Sequence, residues 1–122
     1  LIEENEVRFE EIQTEDADYI LVAFGSSARI CQKAVEQARA EGLRVGLLRP
    51  ITLWPFPKAA IQKHCSHAKG FLVAELNAGQ MVEDVRLAVN GQIPVEHYGR
   101  MGGMLFSPSE ILENLKKLLI EK

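Results

Sequence analysis

Tyr19-Ile20-Leu21-Val22-Ala23-Phe24 is apolar at every position and stops abruptly at Gly25-Ser26-Ser27. A strand with one face in water alternates apolar and polar residues, so an unbroken apolar run must be covered on both faces. Parallel sheets flanked by helices give that cover, and their strands are joined through crossovers long enough to hold a helix. The remaining sequence supplies the crossovers. After Ser27, a helix to about Glu41 carries Cys31, Ala34, Val35 and Ala38 on one face, with Gly42 as its stop residue. Val45 to Leu48 is the next buried strand, ended by Arg49-Pro50. Pro55 and Pro57 bracket the start of a second helix whose inner face reads Ala60, Ile61, His64, Cys65 and Ala68. Phe71 to Ala74 is a third apolar strand. A third helix carries Met81, Val82, Val85, Ala88 and Val89, and Asn90-Gly91 closes it before the short strand Val95 to Tyr98.

Two features frame this core. At the front, Glu6 to Gln13 alternates, with Val7 and Phe9 on one side and Arg8 and Glu10 on the other, which predicts a half-exposed edge strand. Thr14 to Asp18 follows as a polar turn. At the back, Ser107-Pro108-Ser109-Glu110 combines an N-cap, a proline at the first helical position and a capping-box glutamate. The helix it starts lines up Ile111, Leu112, Leu115, Leu118 and Leu119. The order β-(βα)₄ predicts a three-layer α/β/α sandwich, because each crossover helix must cover a face of the sheet. The whole chain, 1–122, reads as one domain, with edge strand and turn over 1–18 and the βα core over 19–122.

Composition narrows the function classes. The chain is 47% hydrophobic and 25% charged, an ordinary globular balance. Its net charge of −3, without a basic block, makes nucleic acid a poor partner. Cys31 and Cys65 are too few for a disulfide framework or an iron–sulfur site and fit a reducing, cytoplasmic setting. The apolar runs fall far short of the roughly 20 residues a membrane-spanning helix needs. The chain opens on Leu1 and enters Glu3-Glu4-Asn5-Glu6 at once, so trimming from a longer subunit is expected ahead of processing.

Ligands of open α/β sheets sit at the carboxyl ends of the strands. That rule selects Gly25, Ser26 and Ser27, then Arg49, then Glu75, Asn77, Gly79 and Gln80, and finally His97 and Arg100 as candidate ligand or interdomain contacts. Gly25-Ser27 suits an anion at a helix N-terminus but lacks the spacing of dinucleotide or P-loop sites, so a tight turn with an N-cap is the plainer reading. Glu75 suits a general base or a structural carboxylate. Arg49 and Arg100 suit carboxylates or salt bridges to a neighbouring domain. His97 suits acid/base work but has no nucleophile assigned to it. His64-Cys65-Ser66-His67 invites a metal reading, yet Cys65 and His67 fall on nearly opposite sides of a helix and no adjacent carboxylate or thiol completes a tetrahedral set. Core packing is therefore expected there, with no metal site and no catalytic set in the chain.

The run Tyr19 to Ser27, followed by Leu48-Arg49-Pro50-Ile51-Thr52-Leu53-Trp54-Pro55-Phe56-Pro57, resembles the transketolase C-terminal domain superfamily. Glu75-Leu76-Asn77-Ala78-Gly79-Gln80-Met81 with Asp84-Val85 is similar to the α subunit of 2-oxoacid:ferredoxin oxidoreductases. Tyr98-Gly99-Arg100-Met101-Gly102-Gly103 resembles its 2-oxoisovalerate (branched-chain) branch, with the 2-oxoglutarate branch second. The resemblance implies a five-stranded mixed sheet of order 1-3-2-4-5 with strand 1 antiparallel. It also implies an enzyme that converts 2-oxoacids to acyl-CoA with thiamine diphosphate, magnesium, iron–sulfur clusters and coenzyme A, passing electrons to ferredoxin. None of those cofactor roles maps onto a residue here. A structural domain packed against the rest of its subunit and the other subunits is expected. A small-ligand or nucleotide-binding regulatory module using the switch-point crevice is the alternative, and a free-standing interaction domain a third.

Overall fold

The computed structural model describes residues 9–23, 26–50, 58–75, 80–99 and 107–120. Five strands form one sheet: β1 (Phe9–Ile12), β2 (Tyr19–Ala23), β3 (Val45–Pro50), β4 (Gly70–Glu75) and β5 (Val95–Gly99). The helices are α1 (Ser26–Ala40), α2 (Lys58–His64), α3 (Gln80–Val89) and α4 (Pro108–Leu115), and a π-helical turn over Lys116–Ile120 extends α4. The strand order is β1-β3-β2-β4-β5. β1 runs antiparallel to β3, and all other pairings are parallel, as the resemblance implies. Handedness then distributes the helices. The chain moves one way from β2 to β3 and the other way from β3 through β4 to β5. Right-handed crossovers therefore place α1 on one face and α2 and α3 on the other.

Each face has its own core. Leu21, Ala23, Leu47, Leu72 and Ala74 pack against Cys31, Ala34, Val35 and Ala38 of α1 and Ile111, Leu112 and Leu115 of α4. Ile20, Val22, Leu48, Phe71 and Val73 pack against Ala60 and Ile61 of α2 and Val85, Ala88 and Val89 of α3. Successive residues of β2, β3 and β4 serve opposite cores, which accounts for their unbroken apolarity. Along the inner face of α1 the small residues Ala28, Ala34 and Ala38 are all buried, so this helix lies close on the sheet. Gly42 ends its C-terminal turn at φ +88°, with Leu43 N–H donating to the Ala38 carbonyl. Met81 and Val82, expected on the inner face of α3, have side chains outside the described residues.

Several expectations need correction. The edge-strand ladder is described from Phe9 to Ile12, and Gln13 leaves it with a left-handed φ of 54°; residues 1–8 lie outside the described residues. Thr14 to Asp18 is polar in sequence but not exposed throughout: Thr14 and Ala17 are buried. This turn closes over Gly46, where a Cβ would stand 2.7 Å from the Gln13 carbonyl oxygen and 2.9 Å from Thr14 Cα. α2 ends at His64, so Cys65 and Ala68 reach the core from the following turn, where Ala68 N–H donates to the His64 carbonyl. The last helix is not uniformly α-helical. Leu118 and Leu119 pack against the α1/α4 cluster from its terminal π turn.

Candidate functional site

The carboxyl ends of the four parallel strands line one edge of the sheet. Ala23 pairs with Ala74 and Glu75 with Gly99, so β2, β4 and β5 end nearly level. The connection after β2 leads toward β3, and that after β4 leads toward β5. The switch point is thus between β2 and β4, flanked by the starts of α1 at Ser26 and α3 at Gln80. Gly25, Asn77, Gly79 and Arg100 lie outside the described residues, as do the side chains of Ser26, Ser27, Glu75 and Gln80. Of the candidate set, the backbone of Ser26, Ser27, Glu75 and Gln80 lies at this edge. His97 belongs beside it, half-buried in β5 opposite Val73 and hence on the α2/α3 face. Arg49 finds a carboxylate within its own chain: its Nη1 lies 3.2 Å from Glu10 Oε1 of the adjoining strand.

Behind β5, the Tyr98 hydroxyl donates to Glu110 Oε2 at 2.8 Å. Glu110 N–H in turn donates to Ser107 Oγ at 3.1 Å, so the N-cap read from the sequence also ties α4 to the sheet edge.

Two polar clusters at the opposite, amino edge are less legible in the sequence. Arg39, in the last turn of α1, forks onto both Asp16 oxygens at 2.7 and 3.2 Å. It also donates to the Gln13 and Val45 carbonyls. One guanidinium thereby joins α1, β3 and the β1–β2 turn. The Arg39 hydrogen bond holds the Asp16 carboxyl below its usual range, and Asp16 raises Arg39 in return.

The second cluster centres on His64, which is 1% exposed. Its Nε2 lies 2.9 Å from Glu11 Oε1 of β1 and its Nδ1 lies 2.8 Å from His67 Nε2. His67 Nδ1 reaches the Ala17 carbonyl at 3.1 Å, and the Thr14 hydroxyl donates to Glu11 Oε2. A carboxylate therefore does stand beside these histidines, contrary to the local reading. It arrives from a strand 53 residues earlier. The i, i+3 spacing was the one available signal, and it locates the histidine pair but not its partner. Among the described residues no group of three or more His, Cys, Asp or Glu is arranged to hold a metal ion. Neither cysteine is poised as a nucleophile: burial pushes the Cys31 thiol up to about 12 and raises that of Cys65.

Sheet order, the antiparallel first strand and the switch point between β2 and β4 define a transketolase-like α/β sandwich. A split gene transketolase, solved as an inactive beta4 tetramer, shares this fold at TM-score 0.77 and 17% identity, over 93% of this chain and 41% of that one. The 2-oxoglutarate:ferredoxin oxidoreductase of Magnetococcus marinus, solved with 2-oxoglutarate, coenzyme A and succinyl-CoA bound, matches at TM-score 0.79 and 29% identity. That match covers 90% of this chain and 19% of the other. Residues 17–111 match the family model of pyruvate:ferredoxin oxidoreductase core domain II, and the chain belongs to that family. The ketoisovalerate oxidoreductase subunit VorB of Methanothermobacter thermautotrophicus is 48% identical over 117 residues, 96% of this chain and 33% of the relative. The 2-oxoglutarate synthase subunit KorA of Methanothermobacter marburgensis is 36% identical over 102 residues, 84% of this chain and 27% of the relative. The chain spans about a third of the length of these curated relatives. Among the described residues no helix is long and apolar enough to cross a membrane.

Proposed function

We propose that this chain is a structural domain of a cytoplasmic 2-oxoacid:ferredoxin oxidoreductase of the 2-oxoisovalerate type, inactive by itself, and that residues 1–122 form one domain of a longer subunit. The observation that carries the reading is the 48% identity to a ketoisovalerate oxidoreductase subunit across nearly the whole chain, against 36% to a 2-oxoglutarate synthase subunit over a shorter stretch. In such an enzyme a 2-oxoacid is decarboxylated and oxidised to an acyl-CoA, with thiamine diphosphate, magnesium, iron–sulfur clusters and coenzyme A held elsewhere and ferredoxin taking the electrons. The part assigned to this domain is to contact the rest of its subunit and the other subunits through the candidate residues Gly25 to Ser27, Glu75 to Gln80 and Arg100. The enzyme assembled around this chain, assayed with branched, dicarboxylic and short 2-oxoacids and a viologen acceptor, should turn over branched 2-oxoacids best. Preference for 2-oxoglutarate or pyruvate would overturn the subtype, and turnover by this chain alone would overturn the structural role.

A second reading is favoured by one feature, the two helix starts flanking the β2–β4 switch point. Helix N-termini attract anions through their unpaired N–H groups. The crevice would then bind a small ligand or nucleotide. Calorimetric titration with coenzyme A, nucleotides and 2-oxoacids separates the readings, since a purely structural edge gives no heat with any of them.

A further inference from the structure

Glu11, His64 and His67 form a line that ends on the Ala17 carbonyl. Three hydrogen bonds lie in series: Glu11 Oε1 to His64 Nε2, His64 Nδ1 to His67 Nε2, and His67 Nδ1 to the Ala17 oxygen. Each needs one hydrogen. A carbonyl oxygen brings none, an ionised carboxylate brings none, and two neutral imidazoles bring two. The line is one proton short unless a ring is an imidazolium or Glu11 is protonated. We propose that these three residues share a single titratable proton, and that it fastens edge strand β1 to the end of α2 and the entry to β2.

Among the described residues, the charged groups on the neighbouring elements are exposed, half-buried or paired elsewhere. Thr14 on the β1–β2 turn donates its hydroxyl to the second Glu11 oxygen. On the same turn Asp16 is engaged by Arg39, Glu15 is exposed and Asp18 is half-buried. Glu10 points to the other face of β1 and pairs with Arg49 of β3. Around the end of α2, Cys65 donates to the Ile61 carbonyl, and Lys63 and Lys69 are exposed. On α3, Glu83 and Arg86 are exposed. His64 is buried, whereas His67 is exposed and gives the proton its route to solvent. When the proton leaves as pH rises, one of the three contacts becomes a pair of lone pairs facing each other. When a second one binds as pH falls, two N–H groups face each other across the 2.8 Å His64–His67 gap. The latch therefore has a window of pH, open on both sides.

Glutamine at position 11 separates this device from plain packing. Its amide NH₂ supplies the third hydrogen and does not titrate, so all three bonds stand without an added proton. Hydrogen exchange read by mass spectrometry on the full-length subunit, between about pH 7 and about pH 9 and corrected for intrinsic rates, tests the alkaline side of the window. Protection of the Phe9–Ile12 amides should fall roughly tenfold toward the alkaline end in the wild type, the effect of losing one buried hydrogen bond. Glu11→Gln should stay flat at the higher level. A flat wild-type profile, or a Glu11→Gln profile with the wild-type slope, sinks the proposal. The wild type alone gives a second reading from imidazole C2–H exchange. His64 and His67 together should take up one proton over the protected range and the second only at lower pH; two independent titrations would equally overturn it.

Discussion

At the scale of single residues, Gly46 is irreplaceable because of what faces it. A Cβ there would meet backbone of the β1–β2 turn at 2.7 and 2.9 Å, and backbone does not yield as the end of a side chain would. Gly46→Ala should destabilise by about 1–3 kcal/mol, measured by urea unfolding, as overpacking typically does. Asp16 supplies a pH dependence. Arg39 lowers its carboxyl below the ordinary 3.8, so the folded state binds that proton less readily than the unfolded chain. The stabilisation is fully present above the unfolded value and disappears as pH falls through the folded one. Asp16→Asn should therefore be less stable than the wild type at neutral pH, and the difference should vanish in strong acid when both are titrated with urea.

Elements carry a different kind of constraint. The N-cap of α4 was legible because capping is a local act: the Ser107 side chain answers an N–H three residues on, whatever else the chain does. Ser107→Ala should cost about 1 kcal/mol in chemical unfolding. α1 depends on its neighbours instead. Its alanines read only as an apolar stripe, and the sheet lying against them makes smallness necessary. Ala34, 1% exposed, should not accept leucine without a loss of about 1–3 kcal/mol. A thermal melt that matched the wild type would show that α1 can lift off the sheet freely. The end of the last helix shows the limit of periodic reading. Leu118 and Leu119 keep helical spacing in sequence, but they meet the core from a π turn with a wider repeat.

For the molecule as a whole, the proposed role separates folding from assembly. Glu75 ends β4 at the carboxyl edge, away from either amino-edge cluster. On the proposed role, Glu75→Ala should weaken association with the remaining subunits while leaving the unfolding midpoint close to that of the wild type. Light scattering of the assembled enzyme reads the first effect and denaturant unfolding the second. Loss of both together would mean that the residue serves the fold and not the contact.

The sequence determined the class of fold, because strands apolar on both faces need cover on both, and the alternation of strands with helices that supplies it is written along the chain. It also determined the N-cap of α4 and the Gly42 stop of α1, which local hydrogen bonding sets, but not the end of α2, which stops at His64. Strand order and the antiparallel β1 came from family resemblance, since no local pattern states which strand lies beside which. Tertiary structure alone decided the polar amino edge. Glu11 read as one side of an edge strand, His64 as a core position and Thr14 as part of a polar turn. Only the pairing of Glu11 with Leu48 turns that carboxylate toward α2 and gives the buried histidine its partner. A hydrogen bond spanning 53 residues leaves no periodic trace in the sequence, because it depends on register across the sheet.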